Sequence, residues 1–71
     1  MRVILRNPFK DLYFLGPNMW TNDRSKAFDF ERMEPAIDLV RRAGLNDLEL
    51  VILINRATGD IHLPLDKADS G

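Results

Sequence analysis

The chain contains no cysteine among its 71 residues, which excludes disulfide staples and thiolate metal sites and removes one argument for an oxidising compartment. It also lacks a long hydrophobic run. The longest, Leu50 to Ile54, has five residues, far short of the ~20 a membrane-spanning helix needs. Val3-Ile4-Leu5 near the start is too short for a signal-peptide core, so the expected location is the cytoplasm. No charge of one sign dominates: ten Lys and Arg stand against eleven Asp and Glu, for a net charge of -1. Nucleic-acid binding draws most of its affinity from clustered basic residues, and only Arg41 and Arg42 are adjacent here. Binding of that kind would need Arg2, Arg6, Arg41, Arg42 and Arg56 to converge on one face, and it is not expected. The four glycines, at 16, 44, 59 and 71, stand too far apart for a phosphate-cradling loop.

Catalytic and metal-binding patterns are equally sparse. His62 is the one histidine. It has a suitable side chain for acid–base work, but no Ser or Cys nucleophile accompanies it, and an edge-strand histidine is expected to be solvated. Asp23, Asp29, Glu31, Glu34 and Asp38 do not match the alternating, glycine-containing loop of a calcium site. Helix polarity accounts for Glu34 and Asp38, and capping for Asp23. The sequence therefore assigns no catalytic residue, no metal ligand and no cofactor.

What is present is apolar patterning. Val3 to Arg6 and Leu12 to Leu15 read as a strand pair, punctuated by Asn7-Pro8 and by Gly16-Pro17-Asn18. Asn22 to Ala27 reads as a short helix or turn, with Thr21 and Asp23 as caps. Phe28-Asp29-Phe30 alternates as a brief strand. Arg32 to Ala43 is the main helix. Met33, Ala36, Ile37, Val40 and Gly44 form its apolar stripe, Asp38 and Arg42 form an i, i+4 pair, Pro35 lies in the tolerant first turn, and Gly44 ends it. Leu48 to Asn55 and Ile61 to Leu65 read as a hairpin across Ala57-Thr58-Gly59-Asp60, and Pro64 places the last strand at an edge. The expected fold is α+β, a mixed or antiparallel sheet of up to five strands in the order ββ, short helix, βαββ. One domain spans residues 1–66, and 67–71 form a disordered tail.

One helix covers one sheet face, yet the strands are apolar on both. Leu48, Leu50, Ile52 and Ile54 point one way, and Glu49, Val51, Leu53 and Asn55 the other. Either loops, the short helix and the Trp20 ring wrap over the second face, or that face stays uncovered and marks an interface, most often two-fold. Val51, Leu53, Tyr13 and Leu15 are the candidate interface residues of a small non-enzymatic interaction module, a homodimer or the binder of another protein. The alternative is a small-molecule binder or minor enzyme, with Trp20, Tyr13, Asn18 and Arg24 lining a pocket. Against that, Trp20 is expected to be a packing plug rather than a binding platform.

Trp20-Thr21-x-Asp23-x-x-x-Ala27-x-x-Phe30, with Ala36 following in the helix, resembles a pattern in short uncharacterised bacterial and phage proteins. The likeness covers Val3 to Ile54. It implies a strand hairpin before the motif, and a helix and strand after it, with no activity to carry over. Pro35 departs from the pattern, which more often has a good helix former there. Physically the pattern reads as packing: Thr21 and Asp23 cap a turn, Ala27 lets it sit close, and Phe30 and Ala36 enter the core.

Overall fold

Asn7 closes the first turn. Its side-chain oxygen accepts from the backbone N–H of Phe9 at 3.0 Å and of Lys10 at 3.1 Å. Its carbonyl accepts from Asp11 at 2.7 Å, and Asp11 takes a left-handed φ of 58°. Short polar side chains tolerate that conformation. In the computed structural model, which describes residues 1–55 and 59–65, this turn joins β1 (Arg2–Asn7) to β2 (Leu12–Gly16). Pro17 and Asn18 then return the chain tightly. Proline fixes the first turn position, and Asn18 takes the positive φ, 60°, at the second, which is type II turn chemistry. The result is β3 (Met19–Thr21), a strand that the sequence pattern did not indicate. After a 3-10 turn at Arg24–Lys26 come α1 (Met33–Ala43), β4 (Leu48–Asn55) and β5 (Gly59–Leu65).

The five strands form one antiparallel sheet in the order β3-β2-β1-β4-β5, the expected small α+β architecture. The third strand precedes the short helix instead of following it, because Phe28–Phe30 is not a strand. The turn expected at Ala57-Thr58 and the tail expected from Lys67 lie outside the described residues.

α1 shows how a short amphipathic stripe is read by the sheet. Ala36 is fully buried, and Leu39 and Val40 pack on the same core, so the working stripe is i, i+3, i+4 from Ala36. Ile37, expected in the stripe, turns aside toward Arg32, Pro35 and Arg41. Leu39 takes its place, and Met33 is exposed. Asp38 and Arg42 pair at 3.0 Å. Gly44 ends the helix at φ 65°, and Leu45 N–H bonds the Val40 carbonyl at 3.0 Å while Gly44 N–H bonds that of Arg41, the Schellman arrangement.

The chain changes sides of the sheet between the 3-10 turn and α1. Ala27 packs against Ile4 and Val51 on the face away from the helix, whereas Phe30 packs in the main core with Val3, Leu5, Phe14 and Leu50. It crosses where β1 and β2 diverge. Their pairing is confined to Arg6 with Tyr13 and Asn7 with Leu12, and beyond that the linker fills the gap. Phe28 N–H bonds the Phe14 carbonyl at 2.9 Å, and Phe30 N–H bonds that of Val3 at 2.8 Å. The Asp29 carboxylate accepts from Val3 N–H at 3.0 Å and from Glu31 N–H at 2.8 Å. These bonds hold the Asp29 carboxyl below its ordinary value, against the upward push of burial. The reason Phe28–Phe30 fails to extend as a strand is that its middle residue bonds β1 through its side chain.

Because Val3 is fully buried, Asp29→Ala leaves an orphaned N–H at a cost of about 1–3 kcal/mol. Thermal unfolding followed by circular dichroism should show the melting temperature lowered by roughly 4–8 °C per kcal/mol. Asp29→Asn, which keeps an acceptor, should lose less.

Candidate functional site

The face away from α1 divides into two halves. Under the 3-10 turn lies a small apolar core of Ile4, Ala27 and Val51, flanked by Tyr13 and Leu53. This half is covered because Asp23 caps the turn, accepting from the backbone and hydroxyl of Ser25 at 3.0 and 2.7 Å. Those bonds hold the Asp23 carboxyl below its ordinary range. Thr21 Oγ1 accepts from Asp23 N–H at 3.0 Å, and Arg24 ties the turn to β5 through Asp60 at 2.7 Å.

The other half is polar. Arg6 donates to Glu49 at 2.8 Å and to Asp11 at 2.9 Å, and its guanidinium lies 6.0 Å from the centre of the Tyr13 ring. The hydrogen bond to Glu49, then that to Asp11, raises the Arg6 pKa further above its ordinary value. His62 Nδ1 meets the same Glu49 oxygen at 2.9 Å. An ionised carboxylate can only accept, so Nδ1 carries the proton, and Nε2 has no hydrogen-bond partner among the described residues. The Glu49 side chain is 14% exposed. Burial pushes its carboxyl up, but the hydrogen bonds from His62 and Arg6 and the charges behind them outweigh that, and the net direction is down from 4.5.

With the folded value below the unfolded one, this carboxylate's stabilisation is complete above about 4.5 and is lost as the pH falls through the folded value. The melting temperature should therefore hold between about pH 7 and 5 and decline below 4.5. Glu49→Gln should melt lower at neutral pH, by about 1–3 kcal/mol of stability, with a shallower acid decline. The remaining slope belongs to Asp29 and Asp23.

The sequence-derived candidates fall in separate places. Val51 is 2% exposed, beneath Ala27. Leu53 and Tyr13 are half-buried beside it, and Leu15 is half-buried where the β2–β3 register shifts. Trp20 packs on the opposite, helix-bearing face, edge-on to Phe14 at 5.6 Å. Asn18 is exposed in its turn, and Arg24 is exposed beside Asp60. Tyr13 and Arg24 thus lie across the sheet from Trp20. A cleft of about 190 Å³ does adjoin Trp20, but its walls are Asn7, Lys10, Leu12, Leu45, Asn46 and Leu48. Arg2 and Arg6 lie on one face, while Arg41 and Arg42 ride on α1 on the other; Arg56 is outside the described residues. Among the described residues no group of three or more potential ligands could hold a metal ion, and no helix is long and apolar enough to cross a membrane.

Met19, Phe28, Met33 and Ile54 are exposed at separate places, and a further apolar surface lies along β5 and the first turn. Ile61 stands opposite Ile52, Leu63 opposite Leu50 and Leu65 opposite Leu48, so all three belong to the helix side. A helix is about 10 Å across and strands are about 4.8 Å apart. α1 lies against β1, and the edge escapes it: Ile61 is 42% and Leu63 39% exposed. Phe9, displayed on the Asn7 turn and 81% exposed, rims a cleft of about 280 Å³ with Pro8, Leu48, Pro64 and Leu65, and with Asp47 and Glu49. The alternation of Ile61, Leu63 and Leu65 beside Pro64 is the sequence signal for this edge. Phe9 has none beyond being an aromatic in a turn.

No protein-family model, curated protein or solved structure matches this chain.

Proposed function

We propose that this chain is a small, non-enzymatic protein-interaction module that self-associates through the β5 side of its sheet. The observation that carries the reading is that β5, paired with β4 alone among the described residues, keeps Ile61 and Leu63 about two-fifths exposed at an open edge. Sheet edges are ordinarily guarded by charges, proline, bulges or extreme shortness. The opposite edge, β3, is three residues long, but β5 has seven. Its Asp60, His62 and Pro64 sit on the far face, and among the described residues of β5 nothing charged lies on the helix side. Phe9 and Pro8 extend the apolar surface past Leu65.

A second copy is the partner this surface suits best. β3 is too short to receive β5 in a head-to-tail chain, which leaves the closed two-fold arrangement. Light scattering after size exclusion, over a range of concentrations, tests this. The expected mass rises from 8.2 kDa toward twice that value; a mass fixed at 8.2 kDa throughout would contradict self-association.

A further inference from the structure

Resting on that reading, we infer that two copies pair β5 against β5 in one register, with Ile61 opposite Ile61 of the second copy and His62 opposite Asp60 of the second copy. The two-fold axis that continues an antiparallel sheet stands perpendicular to it. Both helices then lie on the same side, and one residue of β5 must face its own copy.

Backbone donors select among the possible centres. Pro64 has no N–H, and an edge-strand proline turns the place of its missing donor outward. By alternation, Asp60 and His62 also direct their backbone groups outward, and Ile61 and Leu63 direct theirs toward β4. Centring the pair on Leu63 sets Pro64 against His62 of the second copy and loses ladder bonds; centring it on His62 keeps as many bonds as centring it on Ile61 but opposes two imidazoles instead of an imidazole and a carboxylate. Centring it on Asp60 opposes two carboxylates, which is unfavourable. Centred on Ile61, the bonded residues are Asp60 and His62, and each carries an N–H.

The side chains agree with that register. Asp60 stands opposite Leu53 and His62 opposite Val51 on the same face, so each imidazole meets a carboxylate across the axis. Glu49 accepts from His62 Nδ1 at 2.9 Å, so Nε2 donates to Asp60 of the second copy in the imidazolium form, where both ring nitrogens carry a proton. Arg24 holds the Asp60 carboxylate in place at 2.7 Å. On the helix side Ile61 meets its own copy, and Leu63 covers Gly59 of the second copy.

Absence of native cysteine makes single-cysteine cross-linking a clean test. In this register the residue 61 pair is of the non-hydrogen-bonded type, whose short Cα separation suits a disulfide. Ile61→Cys should cross-link under mild oxidation about tenfold faster than His62→Cys or Leu63→Cys. Mixing Asp60→Cys chains with His62→Cys chains should give the mixed disulfide in preference to either homodimer, which serves as the readout if Ile61→Cys misfolds. Fastest linking at 62 or 63, with a dimeric mass, would overturn the register and leave self-association standing. A constant 8.2 kDa with no linking at any position would overturn both.

Discussion

Val51→Asp should abolish the cooperative unfolding transition, leaving a chain without fixed tertiary structure at 25 °C. Val51 is 2% exposed and packs against Ile4 and Ala27, under a 3-10 turn pinned by Asp23 and by the Arg24–Asp60 pair. An aspartate side chain there is too short to reach water around Ala27. An unpaired buried carboxylate costs several kcal/mol, and the cavity left by the lost methyls adds to it. A domain of this size has roughly 4–10 kcal/mol in total, so one such change is enough. Near-ultraviolet circular dichroism reads the outcome, because Trp20 is held edge-on to Phe14 and loses its signal when packing is lost. Leu53→Asp, one position further along the same face and half-buried, should remain folded. A well-folded Val51→Asp would mean that the 3-10 turn does not close this face.

Leu63→Lys should keep the fold and weaken the dimer by about a hundredfold, some 2.7 kcal/mol. The change acts twice, once in each copy, and a lysine on a strand edge is the usual natural guard against pairing. Its aliphatic stem can keep the contact Leu63 makes beside Leu50 while the ammonium reaches water, so the melting temperature of the monomer should move little. Light scattering on dilution and thermal melts together separate the two effects. Loss of association together with loss of folding would assign Leu63 to the core instead of the interface.

These two substitutions also show what the sequence could and could not reveal. Strict alternation along β4 placed Leu48, Leu50 and Ile52 on one face and Val51 and Leu53 on the other, and the packing follows that division. Gly44, Thr21 and Asp23 announced their caps because capping is local chemistry. The cover over Val51 by the short helix was legible only as one of two readings, because it depends on the linker crossing between β1 and β2. That crossing rests on long-range bonds to Val3 and Phe14, which no local pattern signals. The Arg6–Glu49–His62 cluster was hidden for the same reason: its members come from β1, β4 and β5, and only the register brings them together. Val51 and Leu53 looked like interface residues since the pattern shows which face is apolar, not which face is already occupied. Nothing in the sequence marked Ile61 and Leu63 as exposed, because α1 packing against β1 rather than over the sheet edge is set by tertiary contacts.

Backbone amide exchange read along the chain at several concentrations tests the central claim most directly. If β5 joins β5 of a second copy, the amides of Asp60 and His62 should become protected as concentration rises, while those of β3 do not change. Exchange at β5 that is independent of concentration, or new protection appearing at β3 instead, would contradict it.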